Sequence, residues 1–229
     1  MDKMNLTRLV IAIILVLAVP VYFFIRNLKK DKLITTKFIT RTAIFSAIAT
    51  ILYIVPYVKF PLFFFPSFLE IHFDEIPALI AGFAYGPLSG FFVILVKTLI
   101  KLPLTSTLGV GELADLIYGL ALVIPSSLIY KKRRNIKGAF IGLGVASLIQ
   151  LIISSFLTTF VMLDFYIYVM GFSKEMLLNM CQIANPNVNS LTWPFFFWVA
   201  LPFNLLKDVL ICLLTALLYK RLHKLIDRI

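Results

Sequence analysis

Charged side chains are scarce in this sequence, at 14% of its 229 residues. Hydrophobic residues make up 61% of the chain, and its mean hydropathy is +0.98. A water-soluble domain of this length has too little interior to bury so much apolar surface. The composition therefore argues against a soluble protein and predicts a chain that crosses the membrane several times.

Cysteine and histidine are also sparse, with two of each. Cys181 and Cys212 lie far apart without a CxxC motif, so the sequence predicts neither a disulfide framework nor a metal centre. His72 and His223 cannot form an HExxH zinc motif. The sequence also lacks the GxxxxGK[ST] phosphate loop and the motifs of intramembrane proteases. These absences argue against an enzyme and mean that ATP hydrolysis, if required, belongs to other subunits.

The basic residues are distributed in a way that suits membrane orientation better than nucleic-acid binding. Fifteen of the 22 lysines and arginines fall in residues 26–41, 131–137 and 220–228. Because the basic residues are clustered in this way, the net charge of +11 does not indicate a nucleic-acid partner. Seven crossings would place all three clusters on one side, which the positive-inside rule identifies as the cytoplasm. We expect a multi-pass protein of the cell membrane with its amino terminus outside and its carboxyl terminus in the cytoplasm.

Seven apolar segments are long enough, or nearly so, to cross the bilayer as helices. They are residues 9–25, 42–58, 76–86, 88–102, 111–130, 138–163 and 195–219. The segment 76–86 is short, and we expect it to extend into the preceding loop. Residues 9–25 have no small-residue cleavage site before Arg26, so an uncleaved anchor helix is expected there. The predicted fold class is an all-α polytopic membrane bundle.

The segments on the side opposite the basic clusters are residues 59–75, 101–112 and 164–194. They contain most of the aromatic residues outside the spans, together with six carboxylates: Glu70, Asp74, Glu75, Glu112, Asp164 and Glu175. Such loops predict the mouth of a receptor, although ordinary interfacial belts explain part of the aromatic pattern. The sequence leaves open whether residues 172–193 form a helix lying on the membrane.

The stretch ALPFNLLKDVL, residues 200–210, places polar groups inside an apolar span. Asn204 and Lys207 are three residues apart and share one helical face. Pro202 removes a backbone hydrogen bond and frees a carbonyl nearby. Because lipid exposure of an ammonium is costly, this face is expected to point into the bundle or a polar cavity. Alternatively, Lys207 pairs with a carboxylate of a neighbouring helix, such as Asp115 or Glu112.

Three more charged residues lie within predicted spans. Lys97 either extends its ammonium to the membrane interface or serves a functional site. Glu112 and Asp115 are three residues apart, after Gly109 and Gly111, which allow a tight turn into the helix. A helix amino terminus favours carboxylates, so capping is one explanation of Glu112. Asp115 is deeper in the span, which favours a functional role.

Small and hydroxylated residues supply two further features. Thr158 and Thr159 are candidates for a ligand site, although threonines in membrane helices commonly bond to their own backbone. Ala43 and Ala47 form a small-xxx-small pair that lets another helix approach closely. Packing within the chain is the default explanation of that pair.

Five stretches follow one another in a familiar order: DEIPALIAGFAYGPLSG (74–90), VKTL (96–99), GVGELAD (109–115), YKKRRNIKGA (130–139) and LPFNLLK (201–207). With this spacing they resemble the substrate-binding S-component of energy-coupling factor (ECF) vitamin transporters, most closely the riboflavin-specific branch. The resemblance covers roughly residues 36–225 and implies a six-helix core there. The anchor predicted within residues 1–30 lies outside that core.

The resemblance implies that the chain binds riboflavin, or a related flavin, from outside and needs no cofactor. The partners implied are a membrane scaffold subunit, contacted through Ala43 and Ala47, and two cytoplasmic ATPase subunits, all within membrane lipid. Residues 59–75 would cap the ligand, with Phe63, Phe64 and Phe65 available to cover its ring. The candidate binding residues are Phe64, Glu70, His72, Asp74, Lys97, Glu112, Asp115, Thr158, Asn204 and Lys207.

The chain departs from the riboflavin pattern near the expected site. Thr158 and Thr98 stand where asparagines are usual, and His72 replaces an aspartate of the loop. Glu112 and Asp115 replace a polar, uncharged pair. An S-component for a different small nutrient, with a positive charge or several hydrogen-bond donors, is therefore the alternative; an intramembrane enzyme is a more distant one.

Overall fold

A computed structural model of the chain describes residues 35–58 and 60–226. In chain order its helices and strands are α1 (Thr36–Ile54), β1 (Phe60–Pro61), β2 (Glu70–Ile71), α2 (Glu75–Tyr85), α3 (Pro87–Lys101), α4 (Val110–Lys132), α5 (Ile136–Leu157), α6 (Leu163–Tyr168), α7 (Lys174–Ala184), α8 (Trp193–Phe195) and α9 (Leu201–Ile226). A π-helical turn, Thr158–Met162, joins α5 to α6, and a second one, Phe196–Ala200, joins α8 to α9.

Six apolar helices form the bundle. Five helical stretches in the described part of the chain are long and apolar enough to cross a membrane: Thr36–Ile54, Pro87–Leu104, Val110–Lys132, Ile136–Tyr168 and Trp193–Arg221. The sixth apolar helix is α2, with 11 residues. The all-α fold and its six-helix core are thus confirmed. The anchor predicted at residues 9–25 lies outside the described residues.

Two predicted boundaries are wrong. The first core helix spans residues 36–54 rather than 42–58, because the Thr35 hydroxyl caps its start by accepting a 3.2 Å hydrogen bond from the Phe38 amide. The second helix does not extend into the preceding loop. Instead, β1 and β2 pair antiparallel, with Phe60 opposite Ile71, so the backbone before α2 is committed to a hairpin.

Helix α2 occupies the centre of the bundle, where it packs against α1, α3, α4 and α9. Nine of its eleven residues are buried. Gly90 of α3 allows close packing, because an added Cβ would lie 2.5 Å from a Val123 methyl carbon and 3.0 Å from the Ala78 carbonyl oxygen. A short helix suffices here because neighbouring helices, rather than lipid, surround it.

A second apolar cluster covers the end of the bundle that lies away from the basic residues. It joins Leu163, Leu177, Cys181, Phe195 and Val199, and it packs against side chains of the hairpin loop. Helix α7, Lys174–Ala184, contributes Leu177 and Cys181, so the middle of the segment 172–193 is helical and the rest is not part of that helix. This layer positions the hairpin and α7 around the opening described next.

Candidate functional site

A cavity of about 460 Å³ lies beneath the hairpin and α7, between the ends of α1, α4, α5–α6 and α9. Seven of the ten predicted binding residues line it: Glu70, His72, Glu112, Asp115, Thr158, Asn204 and Lys207. The structure therefore brings together residues that are up to 137 positions apart in the sequence, from Glu70 to Lys207. Phe64, Asp74 and Lys97 are not among the lining residues and are described below.

The start of α9 directs Asn204 into the cavity. The side-chain amide of Asn204 donates to the Ala200 carbonyl, one turn earlier, over 2.8 Å. The same amide nitrogen donates to the Ser155 hydroxyl over 3.3 Å. Pro202, which has no N–H, frees the Trp198 carbonyl, and this accepts a 3.4 Å hydrogen bond from Asn185. Both amide hydrogens of Asn204 are thus used, and its carbonyl oxygen remains as an acceptor.

Lys207 lies one turn further along α9 and is 3% exposed. Its ammonium is 3.1 Å from the Glu75 carboxylate at the start of α2. Lys207 therefore pairs with a carboxylate of a neighbouring helix, but this is Glu75 rather than Asp115 or Glu112. An ammonium has three donors, so a single carboxylate contact leaves donors for a second group in the cavity.

The entry to α4 arranges two carboxylates on the cavity wall. Gly109 has a φ of 87°, which confirms the predicted tight turn, since this left-handed conformation favours glycine. Glu112 accepts hydrogen bonds from the hydroxyls of Thr105 (2.6 Å) and Thr107 (3.2 Å). Asp115 accepts one from the Tyr53 hydroxyl over 2.5 Å. Each carboxylate is therefore held by hydroxyl donors of this chain.

Lys97 and Asp74 lie below the cavity floor rather than in its wall. Lys97 is fully buried and forms an ion pair with Asp74, which is also fully buried. The Lys97 ammonium lies 4.5 Å from the centre of the Tyr53 ring, a cation–π contact. The alternative that Lys97 extends to the membrane interface is wrong, because a carboxylate within the bundle compensates its charge.

His72 connects this buried pair to the cavity. Its Nδ1 hydrogen-bonds with Asp74, and its Nε2 is 3.7 Å from the Asp115 carboxylate. Burial is the main cause that lowers the pKa of His72, to about 4, and the nearby Lys207 ammonium also lowers it. The Asp115 carboxylate acts in the other direction and raises this pKa. His72 is accordingly neutral at physiological pH.

His72, Asp74 and Glu75 each present one possible metal-ligand atom, and these atoms lie within 4.8 Å of one another. Two lysines already neutralise this acidic group, since Lys97 pairs with Asp74 and Lys207 approaches Glu75. Two ammonium groups beside the same carboxylates would repel a divalent cation. The cluster is thus better described as an ion-pair network than as a metal site.

The two threonines of the π-helical turn have different partners. Thr158 lines the cavity, and its hydroxyl lies 3.1 Å from the hydroxyl of Tyr118. Thr159 donates to the Ser155 carbonyl of its own helix over 2.8 Å, as threonines in membrane helices commonly do. Thr158 is thus the member of the pair that is available to a ligand.

The aromatic lining differs from the one expected. Phe63 and Phe64 are 89% and 47% exposed and do not line the cavity. Phe65 reaches inward only as far as the ring of Phe203, 5.3 Å away between ring centres. The aromatic lining is instead Tyr53, Phe68, Tyr118, Tyr166, Phe172 and Phe203.

Helical spacing could have identified two of these aromatic residues. Tyr118 follows Asp115 by three positions, which places both side chains on one face of α4. Phe203 precedes Lys207 by four positions, which places both side chains on one face of α9. Phe68 and Phe172 come from irregular segments, for which no such periodicity exists, and Tyr166 comes from the short helix α6 beyond an unpredicted π-helical turn.

Ala43 and Ala47 do not line the cavity but lie on the surface of α1. Both are exposed, and they are flanked by the exposed side chains of Ile44, Ile48 and Ile51. The default explanation, packing within the chain, is therefore wrong. The pair leaves a shallow apolar surface facing outward from the bundle.

Comparison with known proteins gives consistent matches over the whole bundle. The family model described as "ECF transporter, substrate-specific component" matches residues 37–219. The riboflavin transporter RibU of Staphylococcus aureus (strain TCH60) is 31% identical over 184 residues, which cover 80% of this chain and 90% of that protein. The riboflavin transporter FmnP of Bacillus subtilis (strain 168) is 24% identical over 193 residues, covering 83% and 95% respectively.

The fold has a similar counterpart among solved structures. A structure of the S component of a bacterial ECF transporter matches with a TM-score of 0.65 and 29% sequence identity. The match covers 82% of this chain and 96% of that one. Sequence and fold comparisons therefore agree.

Proposed function

The chain belongs to the family of ECF transporter substrate-specific components, and we propose that its cavity binds riboflavin from outside the cell. It is a multi-pass membrane transport subunit rather than an enzyme. The observation that carries the proposal is the pairing of Asn204 and Lys207 at an aromatic-lined cavity of about 460 Å³. That volume lies within the range of small-molecule pockets, about 300–1,000 Å³.

The free groups of Asn204 and Lys207 complement the polar edge of a flavin ring. That edge alternates carbonyl acceptors with one N–H donor. The amide hydrogens of Asn204 are bonded to Ala200 and Ser155, which leaves its carbonyl oxygen as the group that can accept from the ligand. Lys207 supplies the donor. The isoalloxazine face would then pack against aromatic side chains such as Tyr118 and Phe203.

The acidic wall is consistent with a neutral ligand. Glu112 and Asp115 accept hydrogen bonds from Thr105, Thr107 and Tyr53, so their charges are stabilised without a cationic nutrient. Their remaining lone pairs can accept from the ribityl hydroxyls of riboflavin. This favours riboflavin over the alternative of a positively charged ligand.

The distribution of charge supports an outward-facing cavity. The described basic residues of the clusters lie at the start of α1, around the α4–α5 turn and near the end of α9. The cavity residues lie at the opposite ends of the same helices. By the positive-inside rule, the basic end and the carboxyl terminus face the cytoplasm.

A substrate-specific component is one subunit of an ECF transporter, so this chain acts with scaffold and ATPase subunits. The exposed Ala43 and Ala47 surface is suited to contact a scaffold helix, because small residues permit close approach. We expect Ala43→Leu/Ala47→Leu to abolish co-purification with the scaffold while leaving riboflavin binding intact. Val145→Leu, at an exposed position of α5, is the control; equal co-purification of both variants would exclude this surface.

Quenching of riboflavin fluorescence by the purified full-length protein tests the binding proposal. We expect quenching at micromolar ligand, and Asn204→Ala or Lys207→Ala should each weaken binding about tenfold or more. Asn189→Ala and Lys174→Ala, at exposed positions on the same side, are matched controls that should bind normally. Absence of quenching by the folded parent protein would instead favour another nutrient.

A further inference from the structure

A second pocket, of about 400 Å³, lies at the basic end of the bundle. The start of α1, the α2–α3 turn and the end of α4 form its walls. Four cationic side chains line it: Lys37, Arg41, Lys131 and Arg134. They come from two helices and one turn that the fold brings together from separate parts of the sequence.

Among the residues that the structure describes, no aspartate or glutamate lines this pocket. The segments that supply its lining, residues 35–41, 82–86 and 131–134, are free of carboxylate side chains. Arg41 is half-buried, and its guanidinium lies 4.9 Å from the centre of the Tyr85 ring. Stacking on Tyr85 orients the guanidinium at the pocket wall.

We propose that this pocket binds a phosphate-bearing anion, and that its occupant is the headgroup of an anionic phospholipid. A phosphodiester accepts several hydrogen bonds at once, which suits a concave group of lysine and arginine donors. The pocket lies where the spans end, at the depth of the lipid headgroups. Basic pockets between membrane helices are a known form of anionic lipid site.

A concave site differs from a general basic surface, and this difference makes the proposal testable. Lys132, Arg133 and Lys137 belong to the same α4–α5 region and are exposed, as Lys131 and Arg134 are, but they do not line the pocket. General attraction to an anionic membrane would involve both sets of cations equally. Binding at a specific site would instead depend on the cations that line the pocket.

The test compares two variants that each lose two lysines and one arginine. The pocket variant is Lys37→Gln/Lys131→Gln/Arg134→Gln, and the control is Lys132→Gln/Arg133→Gln/Lys137→Gln. Calorimetry on the delipidated full-length protein measures binding of dioctanoyl phosphatidylglycerol, with dioctanoyl phosphatidylcholine and inorganic phosphate as separate titrants. Circular dichroism confirms that each variant is folded.

We expect phosphatidylglycerol to bind the parent protein at least about tenfold more tightly than phosphatidylcholine. The pocket variant should lose about tenfold in affinity, and the control should stay within about twofold. Weak binding of inorganic phosphate assigns the site to lipid, whereas comparable binding assigns it to free phosphate. Equal losses in both variants, or equal binding of the two lipids, would overturn the proposal.

Discussion

At the scale of single residues, the Asp74–Lys97 pair shows how the bundle tolerates full charges away from water. Both side chains are fully buried, and Asp74 also bonds to His72. Removing one member of a buried pair leaves an uncompensated charge, whereas removing both costs much less. The pair therefore holds the hairpin residue His72 in place without itself reaching the cavity.

We expect Lys97→Met to destabilise the protein by about 3–5 kcal/mol, because it leaves the Asp74 carboxylate buried and unpaired. Asp74→Asn/Lys97→Met should regain most of the lost stability, since the new amide can still accept from His72. Thermal unfolding in detergent measures both effects. Lys101→Met, one turn along α3 and partly exposed, is the control and should change the midpoint little. A double variant as unstable as the single one would contradict the compensation.

The lowered pKa of His72 predicts a loss of stability in acid. The folded-state pKa, about 4, is below the ordinary value of 6.5, so the unfolded chain binds more protons between those values. Stability is then lost as pH falls from about 6.5 to about 4, by about 2 kcal/mol at pH 5. Midpoints of thermal unfolding at pH 7 and pH 5 measure this contribution. His72→Gln, which cannot titrate, should reduce the difference; an unchanged difference would assign it to other groups.

Part of the site could be predicted from residue spacing alone. Asn204 and Lys207 share a face because they are three apart on one helix, and the same geometry relates Glu112 to Asp115. Their partners could not be predicted in this way. The Lys207–Glu75 contact joins α9 to α2, and periodicity within one helix contains no information about such pairing.

At the scale of helices, apolar length identified the six core spans, but their ends depend on local contacts. Thr35 caps α1 earlier than hydropathy predicts, and the β1–β2 hairpin prevents α2 from extending. The two π-helical turns were not predicted, because they arise where packing, rather than intrinsic preference, determines the backbone. Thr158 is the first residue of one turn, and Ala200, whose carbonyl accepts a hydrogen bond from Asn204, is the last residue of the other.

Helices α4 and α5 approach closely at Gly142, which leads to a direct test of their packing. A Cβ at Gly142 would lie 2.7 Å from the Ser126 carbonyl oxygen, while one at Gly144 would meet nothing within 4 Å. Gly142→Ala should therefore cost about 1–3 kcal/mol, because backbone cannot move aside cheaply. Gly144→Ala on the same helix should be neutral or stabilising by up to about 1 kcal/mol. Thermal midpoints in detergent compare the two, and similar shifts would contradict the assigned contact.

At the scale of the whole molecule, the bundle separates two polar regions. The aromatic cavity, with its carboxylates and Lys207, occupies one end, and the pocket around Arg41 and Lys131 occupies the other. The basic clusters made this polarity predictable from sequence. The shape of each region was not predictable, because each is assembled from at least three separate segments of the chain.

The proposed orientation can be tested with cysteine labelling in intact cells. Asn189→Cys, near the cavity end, should react with a membrane-impermeant maleimide added outside. Lys132→Cys, at the basic end, should react only after the cells are lysed. The parent protein is the control for background labelling. Its Cys181 is fully buried, and burial raises the pKa of that thiol to about 12, so little reactive thiolate is present. The reverse pattern would place the cavity in the cytoplasm, and the chain could not then capture riboflavin from outside.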